Sequence, residues 1–148
     1  MPQSLMQIFI HAVFSVKDRA TIISSGIQPG LHRYLQSILK NHKCPALQVG
    51  GIEDHVHLLF VLHKTVAISE IIEEVKTGSS KWMKTQGLSE FYWQAGYGAF
   101  SVSKSQRDKV IQYIKTQAKH HQKMDFKVEL RAMLDNNEVE HDERYLWD

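Results

Sequence analysis

The run from His55 to Leu62 constrains the fold of this chain more than any other stretch, because it is apolar apart from two histidines. Its β-branched, aromatic and leucine side chains follow no helical period and predict a strand. Successive side chains on a strand point to opposite faces, so His55 and His57 are expected side by side on one face. Two imidazoles on a rigid face form half of a divalent-metal site. The alternative is that one histidine is packed and the other solvated.

The segments around this run predict an α+β, ferredoxin-like fold. Their order is β-α-β-β-α-β followed by two more helices, which favours an antiparallel sheet with helices on one face. The first strand and the histidine strand are expected at its centre, and the third helix is expected to cover the other face. Strands are predicted at 5–16, 47–52, 55–62 and 99–103, and helices at 31–40, 68–86, 106–122 and 126–136, with Ser105 and Asp125 as caps.

Length and composition indicate one domain of an ordinary globular protein. We expect residues 1–136 to form that domain and residues 137–148 to form an acidic tail. The single cysteine, Cys44, excludes a disulfide framework and a cysteine-rich zinc site. No secretory apolar region and no long apolar run is present, so the expected location is the cytoplasm, away from the membrane.

The charge is unevenly distributed along the chain. Residues 1–124 contain 15 Lys and Arg against 8 Asp and Glu, whereas residues 125–148 contain 3 against 8. A basic body suits a polyanionic partner such as nucleic acid. Charge alone does not separate this partner from a merely solvated surface.

The third predicted helix carries the second candidate group of functional residues. Tyr113 and Gln117 are four residues apart and share one helical face, and the helix is also rich in lysine. A tyrosine hydroxyl becomes a nucleophile at neutral pH only when its phenolate is stabilised, which a nearby metal and lysines would do. Gln117 could supply a neutral oxygen ligand beside the two imidazoles. The alternatives are an interface tyrosine and a surface glutamine.

Three motifs carry a resemblance to a known family. The His55-x-His57 strand is followed by W-Q-A-G-Y-G-A-F-S-V-S at 93–103 and by the Tyr113-x-x-x-Gln117 helix. In order and spacing, from Phe9 to about Leu134, the chain resembles the HUH single-tyrosine transposases of small insertion sequences. The acidic tail after Asn137 matches no motif of that family.

The resemblance implies a role for each matching residue. His55, His57 and Gln117 match the metal ligands, with Mg²⁺ or Mn²⁺ as the cofactor, and Tyr113 matches the nucleophile. The implied activity is cleavage and rejoining of single-stranded DNA near hairpins at the element ends, through a 5′-phosphotyrosine intermediate. The implied assembly is a homodimer whose tyrosine helix can serve the metal site of its partner.

Cations and aromatic side chains supply the candidates for DNA contact. Aromatic rings between lysines can stack on unpaired bases, although large aromatic residues also occur in cores. We expect His120 and His121 to face DNA or solvent. The residues expected to contact DNA are Arg33, Lys81, Trp82, Lys84, Lys109, Lys115 and Lys119.

Other functions remain open from the sequence. One is a relaxase or rolling-circle initiator of the same HUH class, although such enzymes usually carry additional domains. Another is a noncatalytic nucleic-acid-binding domain of ferredoxin-like fold, with structural histidines. A small β-barrel metalloenzyme using a His-x-His motif is disfavoured by the helices between the strands.

Overall fold

A four-stranded antiparallel sheet forms the centre of the protein. The computed structural model describes residues 2–121 and 124–148. The strand order is β2-β3-β1-β4, which confirms the predicted ferredoxin-like fold and the central positions of the first and the histidine strand. The strands are β1 Phe9–Ser15, β2 Ala46–Gly51, β3 His55–Val61 and β4 Gly98–Val102.

Helices cover both faces of this sheet. The first two helices pack on one face, and the three that follow β4 lie against the other. Within the described residues the helices are α1 Gln28–Asn41, α2 Ile68–Thr85, α3 Arg107–Lys115, α4 Gln117–His120 and α5 Phe126–Asn136, with a short 3₁₀ turn at Lys17–Arg19. None of these helices is both long and apolar enough to cross a membrane.

The larger core lies between the sheet and the first two helices. Even-numbered side chains of β1 and β3 point to this face and are buried against Leu35 of α1 and Ile72 of α2. Each fully buried large apolar side chain contributes roughly 1.5–3 kcal/mol. The residues of β1 and β3 in this core are Ile10, Ala12, Phe14, Val56, Leu58 and Phe60.

Odd-numbered side chains of the same two strands point to the second face, where two smaller apolar clusters form. One cluster joins Phe9 and Leu59 to Ile114 of α3. The other is built from Val13 of β1, Phe100 of β4 and the apolar side of α5. The two histidines of β3 share this face, so α3 and α5 cover them from either side.

β1 is shorter than the predicted strand 5–16. It begins at Phe9, which pairs with Val61 of β3 and Val102 of β4, the last residues of those strands. Residues 5–8 therefore reach beyond both ladders, and Leu5 is 86% exposed. An apolar sequence extends a strand only as far as a neighbouring strand can bond it.

The helix predicted over 106–122 is divided in two. Thr116 separates α3 from α4 with φ −107° and ψ 26°, and its hydroxyl bonds back to the carbonyl of Gln112 at 2.8 Å. Such back-bonding bends helices. The prediction of Ser105 as the N-cap is wrong, because Gln106 precedes α3 and makes no side-chain cap bond. The predicted end at Gln122 lies outside the described residues.

The other helix signals behave as the sequence indicates. α2 runs without interruption through Gly78, where the helix passes close to Ile38 of α1. The hydroxyl of Ser79 is satisfied by the carbonyl of Val75 at 2.6 Å. Asp125 caps α5 as predicted, accepting a hydrogen bond from the Val128 amide at 2.9 Å.

The final residues pack back onto the domain. Leu146 and Trp147 lie against the apolar cluster beneath α5, and cationic groups from the 3₁₀ turn and α5 sit 5.1–5.5 Å from the Trp147 ring. The Asp148 carbonyl accepts hydrogen bonds from the amides of Ala95 and Gly96 at 3.2 and 3.4 Å. The acidic segment thus joins α5 to the loop that precedes β4.

Gly50 allows α3 to approach the sheet closely. It pairs with His57 on β3, and a Cβ at this position would lie 2.8 Å from both the carbonyl oxygen and Cγ2 of Ile114. The obstructing atoms include helix backbone, so a side chain here must move α3. Gly98 of β4 lies in the same row of paired residues across the sheet. A Cβ at Gly98 would lie 3.3 Å from Cδ1 of Leu130 of α5, which is a less severe contact.

We predict that Gly50→Ala lowers the free energy of unfolding by about 1–3 kcal/mol, as overpacked sites do. Thermal and denaturant unfolding would measure it, with Tm falling by roughly 2–10 °C. Gly26→Ala is the matched control, because a Cβ there meets nothing within 4 Å. If the two variants were equally stable, α3 would not be seated on β2.

Candidate active site

His55 and His57 lie side by side on the second face, as predicted, and both are fully buried. Their ring centroids are 5.1 Å apart. Nδ1 of His55 donates to the Asp54 carboxylate at 2.7 Å, and Nδ1 of His57 lies 2.8 Å from Nε2 of His11. Partners on the Nδ1 side orient both rings and direct their Nε2 atoms to a common point, as hydrogen-bond partners do for metal-bound histidines.

Donor atoms from three further residues converge on the same point. The Glu129 Oε1 atom lies 3.1–3.2 Å from the Nε2 atoms of His55, His57 and His121. The Gln117 Oε1 atom lies 3.0 Å from Nε2 of His55 and 3.2 Å from that of His121. The structure therefore brings together the three predicted ligands and adds an imidazole and a carboxylate.

Burial and charge act against each other in this cluster. Burial alone would raise the pKa of Glu129, but hydrogen bonds from the three imidazoles hold that pKa far below its ordinary range. Burial lowers the pKa of His55, and the stronger effect of Asp54 and Glu129 raises it to about 9. The pKa of His57 is lowered, chiefly by burial. The cluster thus contains an ionised Glu129 carboxylate beside a protonated His55 imidazole.

This donor set fits a divalent cation. Two ligands bound at right angles about 2.1 Å from one ion are roughly 3.0 Å apart, close to the observed separations of 3.0–3.2 Å. The single Nε2–H group of His55 faces two acceptor oxygens, Oε1 of Gln117 and Oε1 of Glu129. A cation in place of that proton would satisfy both oxygens better. His63, two residues after β3, bonds Thr65 and lies outside the cluster.

Tyr113 reaches the cluster from α3. Its hydroxyl donates to Oε2 of Glu129, the carboxylate oxygen that does not face the imidazoles. The phenol ring stacks on His120, with centroids 4.6 Å apart and planes at 30°. Burial and the adjacent Glu129 carboxylate raise the pKa of Tyr113 above its ordinary value. The Tyr113 hydroxyl is therefore neutral, and the negative charge stays on Glu129.

A cleft gives access to Tyr113. It has a volume of about 450 Å³ and lies between β4, the N-terminal part of α3 and the C-terminal end of α5. His11 and Tyr113 form its inner end. Burial and the neighbouring His57 lower the pKa of His11 to about 3, so this end of the cleft is neutral.

Three residues of the site escape the sequence analysis. The expectation that His121 faces DNA or solvent is wrong, because its side chain is only 6% exposed and contacts Glu129. His11 is packed against His57, with its Nε2 atom 2.8 Å from Nδ1 of that ring. Glu129 left one signal in the sequence, namely a carboxylate on the apolar stripe of α5 with Phe126 and Leu130.

The residues expected to contact DNA do not form one surface. Arg33, Lys81 and Lys84 lie with α1 and α2 over the first face of the sheet. Trp82 stacks on Tyr34 of α1, with ring centroids 5.6 Å apart, and is partly buried between the helices. The lysines of α3 and α4 are exposed over the second face, and they are Lys109, Lys115 and Lys119.

The sheet, the histidine pair and the tyrosine helix together define the HUH class of single-tyrosine transposases. A family model described as "Transposase IS200 like" matches residues 4–117. The chain belongs to the IS200-like transposase family. His121 and Glu129 lie beyond the matched residues.

Two solved structures share the fold. A Deinococcus radiodurans R1 protein described as a transposase is 20% identical, with 79% of this chain and 98% of that chain covered and a TM-score of 0.63. A REP-associated tyrosine transposase, solved bound to a REP hairpin, is 13% identical, with 82% and 73% covered and a TM-score of 0.60. No curated protein sequence matches this chain.

We predict that binding of Mn²⁺ displaces about one proton near pH 7, because the pKa of His55 in the metal-free protein is about 9. Raising the pH removes the competing proton, so affinity should rise about tenfold per pH unit up to that pKa and then level off. Calorimetric titration in buffers of different protonation enthalpy measures both quantities.

Three variants test this prediction. Glu129→Gln keeps the side-chain shape but removes the charge, and should weaken Mn²⁺ binding by roughly 10- to 100-fold. His55→Ala should abolish the proton release. His63→Ala is the matched control, because His63 lies two residues after β3 and bonds Thr65, and this variant should bind as the parent does. Proton release that persists in His55→Ala would assign the titrating group elsewhere.

Proposed function

We propose that this protein is a transposase that cleaves and rejoins single-stranded DNA at insertion-sequence ends, with Tyr113 as the nucleophile. The observation that carries the proposal is the contact of the Tyr113 hydroxyl with Glu129, whose other oxygen faces His55 and His57. One carboxylate thereby joins the nucleophile to the ligand cluster. Family membership supports the same chemistry.

In the proposed cleavage step, Oη of Tyr113 attacks a DNA phosphorus atom. A Tyr113 Oη–P bond forms and the bond from phosphorus to the 3′ oxygen breaks. The proton released by Tyr113 passes by way of Glu129 to the leaving 3′ oxygen, so the products are a 5′-phosphotyrosine and a 3′ hydroxyl. Oε2 of Glu129 already accepts the hydrogen bond of the Tyr113 hydroxyl, so it is the nearest acceptor for the tyrosine proton. Rejoining is the reverse reaction and needs no external energy source, because the phosphodiester energy is kept in the tyrosine ester.

The ligand set in this proposal is larger than the family motif. His55, His57 and Gln117 would hold the cation together with His121 and Glu129. A bound Mg²⁺ or Mn²⁺ supplies positive charge that polarises the scissile phosphate and offsets the charge of Glu129. Three imidazoles suit Mn²⁺ better than Mg²⁺, which prefers oxygen ligands.

The proposed DNA partner is a folded single strand with a hairpin, encountered in the cytoplasm. A similar structure was solved with a REP hairpin, which supports hairpin recognition here. A cavity of about 590 Å³ beside α2 offers a suitable surface, with Lys81 and Lys84 and the exposed ring of Tyr97 in its lining. Lysines hold phosphates, and exposed aromatic rings stack on unpaired bases.

Two other functions are weaker alternatives. A relaxase or replication initiator of the same class would use the same site on a different DNA. A noncatalytic DNA-binding domain would need no nucleophile, and the partly buried contact of Tyr113 with Glu129 would then be structural. A covalent DNA adduct separates catalysis from binding.

We predict that the protein forms a denaturation-resistant adduct with single-stranded element-end DNA in the presence of Mn²⁺, and that Tyr113→Phe forms none. The phenylalanine ring preserves the stacking on His120 but lacks the attacking oxygen. Denaturing electrophoresis of labelled DNA with the protein measures the adduct. Tyr145→Phe is the matched control because Tyr145 is 64% exposed, in the C-terminal segment. An undiminished adduct in Tyr113→Phe would remove Tyr113 from the mechanism.

We further propose a homodimer with composite sites, in which the tyrosine helix of one chain serves the metal site of the other. Within a single chain, α3 already docks on its own sheet through Ile114 and Gly50. The composite arrangement would exchange this docking between two copies. β4 is an edge strand and could pair with its counterpart across a two-fold axis.

Complementation distinguishes the two arrangements. We predict that Tyr113→Phe protein and a His55→Ala, His57→Ala protein, each inactive alone, regain cleavage when their subunits exchange. A composite heterodimer contains one intact site, built from the histidines of one chain and the tyrosine of the other. If subunit exchange is demonstrated by mass and cleavage stays absent, each chain builds its site from its own residues.

A further inference from the structure

The cleft beside Tyr113 has an unusual lining for a site that handles DNA. Among the described residues that line it, none is a lysine, arginine, aspartate or glutamate. Its apolar floor consists of Phe100, Val102, Val110 and Met133. Its rim consists of neutral hydrogen-bonding side chains, namely Ser101, Ser103, Gln106, Asn136 and Asn137. A groove that follows the phosphate backbone would instead be lined by cations.

Two side chains on the rim of the cleft are available for hydrogen bonds to a ligand. The amide groups of Gln106 and Asn136 are exposed and have no side-chain hydrogen bond within the part of the chain that the structure describes. Each offers one acceptor and two donors. At the inner end, His11 uses Nε2 for His57, which leaves its Nδ1 for a further hydrogen bond.

This arrangement is complementary to a nucleobase. A base has apolar faces and a polar edge, and neutral amides read such edges, as asparagine and glutamine do with adenine. The volume of about 450 Å³ falls within the range of small-ligand sites. The position of the cleft also favours a nucleobase, because Tyr113 both lines the cleft and contacts Glu129 of the ligand cluster.

We propose that this cleft binds one unpaired nucleobase next to the phosphate that Tyr113 attacks, so that the protein itself reads a base at the cleavage point. The proposal rests on the proposed function and adds a specificity site to it. Phe100 and Met133 contact the faces of the base, and Gln106 and Asn136 bond its edge. A base held here places the adjoining phosphate beside the tyrosine hydroxyl.

The test measures binding rather than cleavage. Fluorescence anisotropy compares short homopolymeric single strands of each base with an abasic strand of the same length, using Tyr113→Phe protein so that no adduct forms. We expect the abasic strand to bind roughly 10- to 100-fold more weakly, as loss of a stacked base does, and the adenine strand to bind most tightly among the four. Asn136→Ala and Gln106→Ala should reduce this discrimination.

Gln112→Ala is the matched control, because Gln112 is exposed on α3 and does not line the cleft. Discrimination that is the same in Asn136→Ala, Gln106→Ala and the control would overturn the proposal, since the base would be read elsewhere. So would nuclear magnetic resonance shifts on DNA addition that leave the Asn136 and Gln106 amides unchanged. A change of oligomeric state in these variants would show that a second chain covers the cleft and would also overturn it.

These outcomes are separate from the proposed function. If the protein discriminates bases through Asn136 and Gln106 but forms no adduct through Tyr113, the proposed base site stands and the proposed transposase chemistry fails. If the protein forms the adduct without base discrimination, the proposed chemistry stands and the proposed base site fails.

Discussion

The buried carboxylate of Glu129 is the interaction on which the rest of the site depends. It is 1% exposed and is met by Nε2 atoms from β3 and from the residue after α4. An unpaired charge at this depth would cost about 3–5 kcal/mol, so α5 can dock on the sheet only where imidazoles or a cation meet the carboxylate. Docking of α5 and assembly of the site are therefore one event.

The two faces of the sheet serve different ends because side chains alternate along β1 and β3. One face carries an uninterrupted apolar core, which gives the sheet a rigid foundation. The other carries two apolar clusters with the polar cluster between them. Glycines at Gly50 and Gly98 stand on either side of the row that contains His57, so two helices can close over it. Rigid strands hold His55 and His57, and the helices supply the amide and carboxylate oxygens and the tyrosine.

The charges of the cluster keep the Tyr113 hydroxyl protonated. Glu129 opposes formation of the Tyr113 phenolate, and the proton on His55 balances the carboxylate. In the proposed mechanism, a divalent cation would replace that proton and would weaken the opposition of the carboxylate to the phenolate. Because Glu129 contacts both the imidazoles and Tyr113, metal binding and phenolate formation would be coupled in the proposed mechanism.

Local patterns determined much of this protein from its sequence. The apolar period placed β3 and the helices to within a few residues, strand alternation put His55 and His57 on one face, and helical spacing put Tyr113 and Gln117 together. These features depend on near neighbours in the chain. The end of β1 did not follow from its sequence, because it depends on where the partner strands end.

Tertiary structure alone decided how the site is completed. Glu129 is 72 residues from His57 along the chain, and no local period relates the two. Only the docking of α5 reveals that its one buried carboxylate faces the imidazoles and that His121 turns inward. The sequence determined which elements carry the chemistry. The packing of two helices over glycine-lined strands decided which side chains meet, because such contacts depend on three-dimensional approach rather than on sequence spacing.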